Sequence, residues 1–144
     1  MDSTSLDRLV QIGSLKREPG DQLEFDGLLR SGQARLTDAQ LPALSIESRF
    51  DLAYNASHAF ALAALRHGGY RSENRYLVFQ CLPHTLGLGD NVWRVLALCH
   101  DRRNRAEYGG DADIDDQLIT DLITAAECVL EKLTNLGAVP STDT

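Results

Sequence analysis

Between positions 99 and 110 the chain reads CHDRRNRAEYGG. His100, Arg102, Arg103, Asn104, Arg105, Glu107 and Tyr108 set guanidinium, imidazole, amide, carboxylate and phenol groups side by side. Guanidinium groups can stabilise phosphate charge through charge-assisted hydrogen bonds. Imidazole, with a reference pKa of about 6.5, can carry protons at neutral pH. A phenol titrates near about 10, so it donates a hydrogen bond but is a poor base there. These groups suit binding or cleavage at a phosphate. Cys99 beside His100 is adjacency, not a nucleophile–base geometry.

On a helix at about 100° per residue, with Arg103 as zero, Val92, Leu96 and Cys99 fall within about 40° of it. Arg103 therefore continues an apolar stripe and points at the seam of a bundle, where its charge needs an acceptor. Glu107, one turn later, is the nearest on the same helix, and His100 lies about 60° away. Asn104 and Tyr108 form a second pair with the same spacing. Arg102 and Arg105 point away from the centre of the stripe. Solvation near a helix C-terminus is their plainer role and phosphate contact the sharper one.

Asn55 and His58, one turn apart, could line a site or a dimer seam, or simply hydrogen-bond locally. The four histidines include no H-x-x-H or H-x-x-x-H pair and no cysteine at ligand spacing, so neither a metal site nor a cofactor is expected. GLGDN at 87–91 lacks the strand and the Lys-Ser/Thr of a phosphate loop and reads as a capped turn. DADIDD at 111–116 lacks the glycine and closing glutamate of a calcium loop.

The elements that must position these groups read as helices. Leu6, Leu9, Val10 and Leu15 suggest a helix over 5–17 that stops at Pro19-Gly20, and Phe25, Leu28, Leu29 and Leu36 suggest a second over 21–41. Gly27 and Gly32 weaken the second by about 1 kcal/mol each relative to Ala. Phe50, Ala53, Tyr54, Ser57, Phe60, Ala61 and Ala64 mark the clearest helix, capped by Ser45 and ended at Gly68-Gly69 through a left-handed residue. Ser72 is the expected N-cap of a helix through Tyr76, Phe79 and Leu82 that Pro83 bends or ends. Asp90 is the expected cap of the helix carrying the arginines, which stops at Gly109-Gly110. A last helix is expected to start near Asp113, with Asp116 completing a partial capping box, and to close at Gly137 and Pro140. The prediction is an all-α fold: a single-domain, up-and-down bundle of four or five main helices. Residues 1–44 would pack on a core of 45–136, and 137–144 would form a short tail.

A net charge of −7 argues against non-specific duplex binding, which relies on neutralising phosphates. No stretch approaches the roughly 20 apolar residues of a membrane span. MDSTSLDRLV shows neither a basic start nor a long apolar run, and three scattered cysteines suit reduced thiols, so a cytoplasmic location is expected.

With RFDLAYNASHAFALAALRHGGYR ahead of RRNRAEY, residues 45 to 135 resemble small bacterial HEPN-domain proteins. The resemblance implies a helical bundle that dimerises and, in ribonuclease members, an arginine followed four to six residues later by histidine. Two such motifs then meet across the dimer in a metal-independent RNA-cleaving site. In this chain Tyr108 stands where that histidine would be, which implies a degenerate site holding Arg103, Asn104 and Tyr108 beside His100 and Glu107. Such proteins often act with a minimal nucleotidyltransferase partner or in toxin–antitoxin and defence modules. The resemblance thus implies a homodimer that binds RNA, a nucleotide or a partner without catalysis. The alternatives are a metal-independent endoribonuclease using Arg103 with His100, and a purely structural helical dimer.

Overall fold

One helix organises the molecule because it is buried on nearly every side. In the computed structural model, which describes residues 3–107 and 114–140, α3 (Ile46–His67) packs against α2 (Gln22–Ala39), α4 (Arg75–Gln80), α5 (Leu82–Thr85), α6 (Asp90–Glu107) and α7 (Asp116–Thr134). The described residues also hold α1 (Ser3–Gln11) and an antiparallel ribbon of β1 (Lys16–Arg17) and β2 (Tyr70–Arg71). The fold is all-α, with 72% of the described residues helical and α2, α3, α6 and α7 as the long helices among them.

Every residue of the predicted α3 stripe is buried, and Ala56, Ala59, Ala63 and Leu65 on its other faces are buried too. Small side chains make this possible, since alanine lets neighbouring helices approach the backbone closely without leaving voids. Ser45 caps α3 by accepting from the Ser48 amide at 3.1 Å. The helix ends at Gly68, and Gly69, at φ 88°, is the left-handed residue that turns the chain into β2.

Several local expectations are corrected. The first helix stops at Gln11; Lys16 and Arg17 instead pair with Arg71 and Tyr70 as a ribbon, while Leu15 stays buried. Asp7 ties this ribbon to α1, accepting from Tyr70 Oη and Arg17 Nη2, each at 2.6 Å. Those bonds hold its carboxyl below the usual range, Tyr70 contributing most. Asn74, not Ser72, caps α4, accepting from the Leu77 amide. Ser72 Oγ instead accepts from the Asn74 amide, forming the turn before the cap. Pro83 does not end a helix: α4 ends at Gln80, and the proline lies in the first turn of α5, where a missing amide costs nothing. Asp90 is the first residue of α6 and takes the Trp93 indole N–H on its carboxylate. For α7 the cap is Asp115, accepting from the Leu118 amide, so the helix starts at Asp116 and not near Asp113. Asp113 itself lies outside the described residues, as do Tyr108, Gly109 and Gly110.

Candidate functional site

Three helices bring the polar residues of the middle of the chain together. Tyr54, Asn55 and His58 come from α3, Arg75, Tyr76 and Phe79 from α4, and His100, Arg103 and Asn104 from α6. At the centre is Tyr54, fully buried, with its Oη 2.9 Å from His100 Nδ1. On the other side of the imidazole, Asn104 Nδ2 donates to His100 Nε2 at 3.2 Å. With the amide donating there, Nε2 is the acceptor, so a neutral ring carries its hydrogen on Nδ1 and donates it to Tyr54 Oη. Asn104 thus pairs back to His100, one turn earlier. The side chain of Glu107, and Tyr108, lie outside the described residues.

Aromatic faces hold the cations. The Arg103 guanidinium carbon lies 5.1 Å from the Tyr54 ring centroid and that of Arg75 lies 5.6 Å from it, both within cation–π range. Phe79 meets Tyr54 edge-on at 5.8 Å and His58 edge-on at 6.1 Å, while Tyr76 lies 5.7 Å from the His100 ring. Arg75 also donates to Asn55 Oδ1 at 3.0 Å, and Asn55 is itself anchored by donating to the Asp51 carbonyl at 2.8 Å. The i, i+3 face of α3 that carries Asn55 and His58 therefore meets α4, while Tyr54 beside it meets α6.

This cluster is locally positive in an acidic chain. Burial pushes the half-buried His58 imidazole down to about 4, and the charges of Arg75, Arg103 and His100 push it the same way. At pH 7 His58 is a neutral ring and a weak base. A buried neutral histidine stabilises the fold above its unfolded pKa, near about 6.5, and that contribution fades as the pH falls towards about 4. We expect urea midpoints of the wild type to fall between pH 7 and 4.5 by clearly more than those of His58→Gln. Equal falls would mean that His58 is not held neutral.

The other candidates lie apart. Arg105 is exposed. Arg102 is half-buried and not fully solvated, on the flank of α6 where Cys99 feels both its charge and that of Asp121. Cys99 is buried, its thiol pushed up to about 12 by that burial, so it is no nucleophile beside His100. In the sequence Tyr76 reads only as a helix position and Arg75 carries no periodic signal; the docking of α4 is what brings them to His100 and Tyr54. Among the described residues no group of three or more His, Cys, Asp or Glu could hold a metal ion, and no helix is long and apolar enough to cross a membrane.

The fold and the site thus define a helical-bundle protein in which a buried tyrosine, flanked by two arginines, holds a half-buried histidine–asparagine pair. No protein-family model, no curated protein and no solved structure matches the chain.

Proposed function

We propose that the chain is a HEPN-like, dimeric cytoplasmic protein that binds RNA or a nucleotide without cleaving it. In this reading it serves a toxin–antitoxin or defence-type module, beside a minimal nucleotidyltransferase or another partner. The observation that carries the proposal is the occupancy of His100. Both ring nitrogens are engaged within the protein, by Tyr54 and Asn104, while Arg103 lies against the same tyrosine. A general base must reach its proton directly or through one water, and an imidazole held on both sides has no lone pair or proton to offer a substrate. What the cluster offers a ligand is positive charge and amide donors. That chemistry suits binding at a phosphate more than turnover.

The test combines RNA in EDTA with sedimentation. The wild type is expected to run as a dimer and to bind RNA or nucleotide without cleaving it. Arg103→Ala is expected to weaken binding by about tenfold, the worth of one charge-assisted contact. Metal-independent cleavage lost in both His100→Ala and Arg103→Ala would replace this reading with the ribonuclease. A dimer whose stability, but not ligand binding, responds to Arg103→Ala would replace it with the structural role.

A further inference from the structure

We propose that Arg75, held by Asn55 against the Tyr54 ring, is a phosphate-binding residue of the α3–α4–α6 cluster. The inference rests on the reading of that cluster as the functional site, and it adds a residue from a helix outside the arginine-rich stretch.

Several other arginines of this protein are held by a carboxylate or at the end of a helix dipole. Arg66 and Arg71 each meet the carboxylates of Glu18 and Glu24, and Arg17 meets Asp7. Arg49 donates to the Ala39 carbonyl at the C-terminal end of α2, where a cation suits the helix dipole. Arg75 is half-buried as well, yet its partners are of another kind. One Nη1–H meets the neutral Asn55 oxygen and the guanidinium plane lies by an aromatic ring. No carboxylate forms an ion pair with it among the described residues. A guanidinium has five N–H donors in a rigid fork, so this arrangement satisfies one donor, fixes the orientation and leaves the fork largely uncommitted.

None of the Arg75 nitrogens is a buried donor left without a partner, so the N–H groups that Asn55 does not take face solvent, where an anion can reach them. The geometry is that of a pre-oriented anion receptor: Asn55 is locked by the Asp51 carbonyl and in turn locks Arg75. The field around it has the matching sign. Beside burial, the charges that push His58 towards the neutral form come first from Arg75 on α4 and then from Arg103 on α6, joined by His100 only when it is protonated. A bidentate tetrahedral oxyanion fits the fork, whether the phosphate belongs to a polynucleotide backbone or to a small free phosphate compound.

Pyrophosphate and a short single-stranded oligoribonucleotide, titrated separately, distinguish these sources. His58 serves as reporter through its ring NMR signals. In the wild type, pyrophosphate should bind saturably, move the Arg75 and Asn55 side-chain signals and raise the His58 pKa from about 4, because an added anion favours the imidazolium. In Arg75→Gln the His58 pKa should already be raised without ligand, and pyrophosphate should bind about tenfold more weakly. Arg75→Lys, which keeps the charge and loses the fork, should lie between the two. Binding of pyrophosphate that depends on Arg75, with no binding of the oligonucleotide, supports this site while removing RNA from the proposed function. Oligonucleotide binding that is unchanged in Arg75→Gln overturns the role of Arg75 and leaves the proposed function standing. Wild-type protein that binds neither probe also overturns it. Should Arg75→Gln fail to fold, the wild-type titration decides: Arg75 and Asn55 signals that stay still at saturation refute the site.

Discussion

Arg66→Met should lower the unfolding free energy by about 3–5 kcal/mol, because it removes the donors of three backbone carbonyls, each costing about 1–3 kcal/mol when left unsatisfied. Arg66 is 2% exposed near the C-terminal end of α3 and spends its fork on four acceptor groups. Nε donates to Glu24 Oε1 at 2.6 Å, Nη1 to the Glu18 and Tyr70 carbonyls at 2.8 and 3.3 Å, and Nη2 to the Pro19 carbonyl at 2.8 Å. Glu18 Oε2 lies 3.2 Å from Nη2 as well. Arg71 bridges the same carboxylates, donating to Glu18 at 2.5 Å and to Glu24 at 2.6 Å. Burial alone would raise the Glu24 carboxyl, but the hydrogen bonds from Arg71 and Arg66 hold it below its ordinary value. Deleting the guanidinium strands three carbonyls and leaves two carboxylates facing one cation. Because those carbonyls belong to β2 and to the segment between β1 and α2, the ribbon should loosen along with the end of α3. Arg66→Lys should recover only part of the loss, since an ammonium cannot reproduce the planar fork. Urea unfolding of the three proteins decides: a loss below about 1 kcal/mol in Arg66→Met would show that the network is dispensable.

Gly32→Ala is the second large effect, and its sign runs against helix propensity. In an isolated helix the substitution would stabilise by about 1 kcal/mol. Here a Cβ at position 32 would collide with three carbons of the Phe60 ring, and Phe60 is fully buried. The ring has no exit, so α2 and α3 must separate or the ring must leave its rotamer, at a cost of about 1–3 kcal/mol. Gly27, on the same helix, meets only the far end of the Arg30 side chain, so Gly27→Ala should be neutral or stabilising. The pair is its own control. The clash should also be relieved in Gly32→Ala/Phe60→Leu, making the two substitutions non-additive in thermal melts. Additive losses, or equal effects at positions 27 and 32, would exclude the ring contact as the cause.

These two residues show where reading along the chain stops being sufficient. Gly32 reads as a propensity penalty, and only the neighbouring helix turns it into a packing requirement. Arg66 falls off the stripe that runs from Phe50 to Ala64, so a single amphipathic face leaves it in solvent. It is buried because α3 is the central helix and because the ribbon closes over its end. Arg75 is silent for the same reason, as its importance depends on α4 docking beside Tyr54.

The chain by itself determined what depends on local periodicity and on groups a few residues apart. That covers the all-α class, the apolar stripe and Ser45 cap of α3, the approximate extent of α2, and the aim of Arg103 at the bundle seam. Each follows from side chains repeating at the helical period, which no distant contact has to supply. Tertiary structure alone decided the ribbon between β1 and β2, the Glu18–Glu24–Arg66–Arg71 network and the meeting of three helices around Tyr54. In CHDRRNRAEYGG the three arginines are equivalent as chemistry. The helical period already sets Arg103 on the apolar stripe and turns Arg102 and Arg105 away from it; packing adds what the stripe meets, a buried tyrosine against Arg103, because the partner face comes from a distant element.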